Sequence, residues 1–171
     1  PPLNASKYQR GRTFIIAGSD QYPGAALLAL KGALASGVGS LKAVVPKTVA
    51  NSLWQILPEV VLESTFQHAC SAFDLTSSLE GTSLERIDSM LIGPGLGPLD
   101  GDFSLLLGLL QDFGGLLVLD ADFLNKLSLV GESWDWIKRR KGQTWITPHH
   151  AEFSRLFPDI EKSSLLDEAV E

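Results

Sequence analysis

Five short runs of Ile, Val and Leu, apolar without alternation, narrow the folds open to this chain more than any other feature. They lie at 13–17, 41–45, 90–92, 116–119 and 144–146, with a weaker sixth at 60–63. A strand with one wet face alternates polar and apolar residues. A strand buried on both faces does not, and such strands belong to parallel sheets. Helical patterns separate the runs. Residues 25–36 are Ala/Leu-rich and stop at Gly37; residues 48–57 follow a proline and stop before Pro58. Two more helices are expected at 103–110 and 133–140, the latter with Ser133 as N-cap. Several strand starts recur at roughly 30-residue intervals, the length of one βαβ unit. The expected fold is therefore α/β: a doubly wound, mostly parallel sheet flanked by helices. Residues 67–86 are the least regular part and are expected to be a loop or an edge excursion.

At 171 residues the chain is long enough for one domain with its own core. Its net charge is −6, which argues against a general nucleic-acid binder. The one basic block, Lys138-Arg-Arg-Lys141, reads as a solvated helix end. No apolar run reaches membrane-spanning length, Leu105–Leu110 being far too short. Cys70 is the only cysteine, so an internal disulfide is excluded and a reducing, cytoplasmic setting is expected. It sits beside His68 with no second cysteine or neighbouring acid to complete a metal or nucleophile set, and reads as a small packed side chain. The chain opens Pro-Pro and closes on 165–171, which resemble the start of an amphipathic helix, so both ends read as cut.

Four clusters that carry chemistry follow expected strands. In Ala17-Gly-Ser-Asp-Gln-Tyr-Pro-Gly-Ala25, Gly24 and Ala25 are small where a helix begins, so backbone amides can approach a polar ligand. An ordinary strand–helix turn is the plain alternative. In Gly93-Pro-Gly-Leu-Gly97, three glycines in five residues suit an anion nest, with Gly95 and Gly97 as the candidates. In Asp120-Ala-Asp122, Asp122 reads as the N-cap of the next helix, leaving Asp120 as the functional candidate. In Thr147-Pro-His-His-Ala-Glu-Phe153, His149 and Glu152 share one face of a first helical turn. Glu152 suits a hydrated metal–phosphate or a helix-start N–H. Phe153, Leu156 and Phe157 read as a core face. Glu59, after Pro58, reads by default as a loop acid.

In this order the clusters resemble the ADP/ATP-dependent NAD(P)H-hydrate dehydratase family, a branch of the ribokinase-like fold. The matching stretches are Gly18-Ser19 with Tyr22-Pro-Gly-Ala25, Pro58-Glu59, Gly93–Gly97, Asp120-Ala-Asp122 with Asn125, and Thr147-Pro-His149 with Glu152-Phe153. The stretch Lys7–Gly11 also resembles the family's approach to its first strand. The resemblance implies repair of nicotinamide dinucleotides hydrated on the dihydropyridine ring. ADP or ATP would phosphorylate the ring hydroxyl, Mg²⁺ would assist, and phosphate would then leave as the ring double bond returns. It places Ala25, a glycine of the 93–97 loop and His149 on the hydrated dinucleotide, and Glu152 near phosphate and metal. Members of that family often assemble, and in bacterial relatives an epimerase domain is commonly fused upstream; the sequence itself decides neither a homo-oligomer nor such a domain ahead of Pro1.

One family feature has no counterpart here. The late G-x-G-D segment, whose aspartate is the catalytic base, does not occur; Gly101-Asp102 stands before the wrong helix. The chain is thus expected to be the N-terminal two-thirds of a single ribokinase-like domain, incomplete, with no catalytic residue of its own and no turnover. A vitamin-type kinase of the same fold and a non-catalytic dinucleotide-binding module are the competing readings.

Overall fold

Every apolar run becomes a strand. The computed structural model describes residues 9–130 and 134–158. The strands are β1 (Arg12–Ile16), β2 (Ser40–Pro46), β3 (Val60–Phe66), β4 (Ser89–Ile92), β5 (Leu116–Leu119) and β6 (Thr144–Ile146). They form one sheet in the order β3-β2-β1-β4-β5-β6, and all five pairings are parallel. The helices are α1 (Pro23–Ala35), α2 (Lys47–Ile56), α3 (Ala72–Glu80), α4 (Ser104–Asp112), α5 (Ala121–Val130), α6 (Asp135–Lys138) and α7 (His150–Leu156).

Side chains on a strand alternate between faces, and β1 shows what this does. Ile15 and the following Ala17 join Ala26 and Leu30 of α1 and Val49 and Leu53 of α2 in one apolar layer. Phe14 and Ile16 face the other way, into a layer with Leu75 of α3, Leu106 of α4, Phe123 of α5 and Leu156 of α7. Two cores, one on each face, are why the runs carry no polar alternation.

Three expectations need correction. Residues 67–86 hold a full helix, α3, opened by a capping box: Ser71 Oγ accepts the Asp74 N–H, and the Asp74 carboxylate accepts the Ser71 N–H. The helix expected at 133–140 is only the short α6; Ser133 lies outside the described residues, as does 165–171. The basic block is not wholly solvated. Arg140 is buried; its guanidinium donates to the carbonyls of Leu110 and Gly115 and to Thr144 Oγ1, and packs over Phe113. Burial lowers its pKa from the ordinary value. It fastens the chain before β6 to the end of α4.

The strand order reverses direction between β1 and β4. From β1 the chain moves out to β2 and β3, then crosses back to β4 on the other side. The loops leaving neighbouring strands at that reversal diverge to opposite faces, so a crevice opens beyond their carboxyl ends.

Candidate functional site at the strand reversal

The two loops that flank the crevice interlock through their backbones. The Gly18 N–H donates to the carbonyl of Pro94 at 2.8 Å. A Cβ at Gly93 would fall 1.7 Å from the Asp120 carbonyl oxygen, so the β4 loop lies directly on the end of β5. Gly95 has φ +67, and a Cβ there would fall 2.5 Å from Ala25 Cβ and 3.0 Å from Tyr22 Cβ. Two of the expected contact residues, Ala25 and Gly95, thus touch. Gly24 is exposed, with no atom within 4 Å of its Cβ position, and so lies open to a ligand.

Asp122 is not the N-cap of α5. It sits inside the first turn, and its carboxylate accepts the Gly97 N–H at 2.8 Å. The glycine loop is therefore tied to α5 as well as to α1. Beside this tie lies a cavity of about 420 Å³, lined by Gln21, Tyr22, Gly97, Asp122, Asn125 and Lys126 among others.

The β5 and β6 loops complete the rim. Thr147 Oγ1 donates to Asp120 Oδ1 at 2.7 Å. His149 caps α7 with its ring, Nδ1 accepting the N–H groups of Ala151 at 3.1 Å and Glu152 at 3.4 Å. An accepting Nδ1 assigns the hydrogen of a neutral ring to Nε2, which lies 3.3 Å from Glu152 Oε1. Glu152 Oε2 accepts the His149 N–H at 3.0 Å. The carboxylate is nearly buried, with 6% of its side chain exposed against 64% for His149. The amide of Asn125 approaches Glu152 Oε1 at 3.5 Å, while Asn125 Oδ1 is buried without a hydrogen-bond partner. A buried acceptor without a donor costs stability unless something brings one.

Gly24, Ala25, Gly95, Gly97, Asp120, His149 and Glu152 all follow a strand at its carboxyl end, on the loops and first helical turns after β1, β4, β5 and β6. Glu59 precedes β3 and so stands at the opposite, amino end of the sheet, as an exposed loop acid.

The sequence reading missed one pairing. Asp20 supplies the acid that His68 lacks locally: Asp20 Oδ2 lies 2.6 Å from His68 Nδ1, and Thr48 Oγ1 donates to Asp20 Oδ1 at 2.7 Å. Thr48 first and His68 second hold the Asp20 carboxyl below the ordinary carboxylate value. The partners stand 48 residues apart, on loops after β1 and β3, so no local motif signals them. Cys70 is buried, and burial pushes its thiol pKa far up, which leaves it unreactive.

The described residues do not form a resident site for Mg²⁺. Among them no group of three His, Cys, Asp or Glu is placed to hold a metal, and the Glu152 carboxylate is already engaged at the start of α7. The arrangement suits an anionic, extended small molecule instead. Glycine-rich backbone without side chains stands at the centre of the rim, and an acid, an amide and an imidazole stand at one end.

A model of the NAD(P)H-hydrate dehydratase family matches residues 13–171. The bifunctional NAD(P)H-hydrate repair enzyme of Gloeobacter violaceus is 39% identical over 159 residues, covering 93% of this chain and 30% of that protein. The enzyme of the same name from Synechocystis is 37% identical over 165 residues, covering 96% and 30%. The chain thus spans about 30% of the length of these curated relatives. Among solved structures, the ADP/ATP-dependent NAD(P)H-hydrate dehydratase of Bacillus subtilis, crystallised with ATP and Mg²⁺, aligns with a TM-score of 0.68 at 28% identity, over 92% of this chain and 51% of that one. A ribokinase-like superfamily protein of Enterococcus faecalis aligns with a TM-score of 0.74 at 24% identity, over 98% and 55%, which bears on the fold alone. With its strand-end loops converging on one crevice and the family's model running from the second residue of β1 onward, this chain belongs to the NAD(P)H-hydrate dehydratase family.

Proposed function

We propose that this chain forms the dinucleotide-gripping part of an ADP/ATP-dependent NAD(P)H-hydrate dehydratase. The observation that carries the reading is the packing of Gly95 against Ala25 and Tyr22 beside an open cavity at the strand reversal. A bound pyrophosphate would meet the Gly95 N–H, since the Gly93, Leu96 and Gly97 amides already donate within the protein, and the start of α1, where partial positive charge gathers and Gly24 leaves the approach clear. The hydrated nicotinamide would then lie toward Asp120, Asn125 and His149. There Asn125 lines the cavity, and a turn of its side chain would bring the unpartnered Oδ1 to the ring's carboxamide. His149 Nε2–H can turn from Glu152 to the ring hydroxyl or to the phosphate formed on it.

The chemistry needs little from these side chains beyond placement. Phosphate leaves far more readily than hydroxide, and the electron pair of the ring nitrogen drives it out. Positioning and charge neutralisation supply the rest. The nucleotide would enter as a co-substrate, and Mg²⁺ would neutralise charge on its phosphates. The G-x-G-D segment that carries the family's base does not occur in these 171 residues. We therefore assign the 171 residues as the dinucleotide-binding part of the catalytic domain, able to bind but not to turn over.

Two measurements on the 171-residue chain test this. Calorimetric titration with (S)-NADH-hydrate is expected to show binding that Gly95→Val abolishes. Incubation with the hydrate and ATP or ADP is expected to restore no NADH absorbance and release no phosphate. Absence of binding overturns the assignment of the grip; steady turnover overturns the assignment as an inactive part. A vitamin-type kinase of the same fold would bind its own acceptor and ignore the hydrate.

A further inference from the structure

Beyond β1, on the side of the sheet away from Asp120 and His149, the Asp20–His68 pair projects from the rim. We propose that this pair binds the far nucleoside of the dinucleotide, with His68 Nε2 donating to a 2′-phosphate on its ribose, so that the chain favours NADPH-hydrate over NADH-hydrate. This rests on the dehydratase reading above and names the substrate form that site prefers.

The ring is aimed. His68 is 86% exposed in its side chain, yet it is held through Nδ1 by Asp20. The Asp20 N–H also donates to the His68 carbonyl at 2.7 Å, so the two loops are joined twice. With Nδ1 committed to the carboxylate, Nε2 is left facing solvent, the arrangement by which an acid orients an imidazole for use. The backbone of His68 stands at φ +37, in the left-handed region that a non-glycine residue adopts at a cost. Strain spent to hold an exposed ring in place is a mark of function rather than of packing.

The position suits the length of the ligand. From β6, where His149 stands, to β1 is three strand intervals, roughly 14 Å at the usual strand spacing. A dinucleotide with its nicotinamide over β5 and β6 and its pyrophosphate on the 93–97 loop carries its second nucleoside past β1. There Asp20, Thr48 and Ser52 line a cavity of about 300 Å³ between α1 and α2. The next residues after Asp20, Gln21 and Tyr22, line the central cavity. A Cβ at Gly97 would lie 3.8 Å from Ala69, the neighbour of His68, so the loop that carries His68 adjoins the glycine loop.

The charge suits a phosphate. The Asp20 carboxylate is occupied by two donors from within the protein. What faces outward is the imidazole, with the exposed Lys47 beside Thr48 at the first position of α2, whose first turn holds no acid. A dianionic 2′-phosphate would accept the Nε2–H of the oriented ring close to the start of α2, where Lys47 is exposed, whereas a ribose hydroxyl gains one ordinary hydrogen bond.

The test is calorimetric titration of the 171-residue chain with NADPH-hydrate, NADH-hydrate and hydrated nicotinamide mononucleotide, which lacks the second nucleoside. His68→Gly keeps a backbone suited to φ +37. It is expected to weaken NADPH-hydrate about tenfold, the worth of one exposed charge-assisted hydrogen bond, to change NADH-hydrate little, and to spare the mononucleotide. Asp20→Asn should give the same pattern more weakly, and His68→Arg should restore the preference. Unchanged NADPH-hydrate binding in His68→Gly overturns the proposal. So does equal weakening of all three ligands, which a merely structural role would produce, or equal weakening of the two dinucleotides. If none of the three binds the unsubstituted chain, the dehydratase reading falls as well; if they bind and His68→Gly has no effect, only the present proposal falls.

Discussion

At Gly93 a single added carbon would collide with backbone, since its position lies 1.7 Å from the Asp120 carbonyl oxygen and φ is +134. No side-chain rotation relieves that contact. Gly93→Ala is expected to cost about 3 kcal/mol or more, read as a lower urea midpoint. Gly24 is the opposite case, an open glycine at the start of α1. Gly24→Ala should raise stability by about 0.5 kcal/mol through the unfolded chain, yet weaken hydrate binding, because the methyl stands where the ligand approaches. Stability and binding moving in opposite directions is the sign that the ligand, not the fold, requires that glycine. The glycine cluster at 93–97 stood out in the sequence, but the division of labour within it did not. Gly95 meets Ala25 and Gly97 meets Asp122 only once separate strands have been brought together. The Asp20–His68 pair was invisible for the same reason.

Among the elements, α3 shows how a helix escapes a reading based on apolar rhythm. Its start is written Ser71-Ala-Phe-Asp74, a box closed by aspartate instead of the more familiar glutamate, and Phe73 points outward, 78% exposed. The cap carries the signal that the periodicity lacks. Ser71→Ala is expected to lower stability by about 1 kcal/mol, seen in urea unfolding and as faster amide exchange confined to the first turn of α3. At the amino end of the sheet, Asp88 ties β4 to β1. It accepts the Arg12 N–H at 2.8 Å and two bonds from the Arg12 guanidinium. Arg12 holds the Asp88 carboxyl below its ordinary value of 3.8. A carboxyl depressed on folding stabilises the protein above that ordinary value, and the contribution is lost as pH falls through the folded one. The difference in denaturant midpoint between the wild type and Asp88→Asn should therefore persist at neutral pH and close as pH falls below 3.8. The pair is half-exposed, so the difference is small.

Across the whole molecule, the architecture was the most legible part, because one rule governs it. Strands sandwiched between two helical layers are apolar on both faces, and these strands are; their order, β3-β2-β1-β4-β5-β6, shows only in the fold. Arg140 was not legible. A basic run at a helix end looks like a wet surface, and only the finished packing shows that one member threads inward to the carbonyls of Leu110 and Gly115. The two cores also differ in what they support. Phe14→Ala empties a fully buried site on the α3–α5 side and should cost about 3–5 kcal/mol, measured by urea unfolding. The contact of Gly93 with the Asp120 carbonyl has a consequence for redesign. Where the ligand's centre would rest, the surface is peptide backbone anchored to peptide backbone, so replacing the side chains around it leaves that bed in place. Tyr22, Lys126 and His68 form adjustable walls about an invariant base. A variant library aimed at new nucleotide-like ligands belongs on those walls and leaves Gly93 alone.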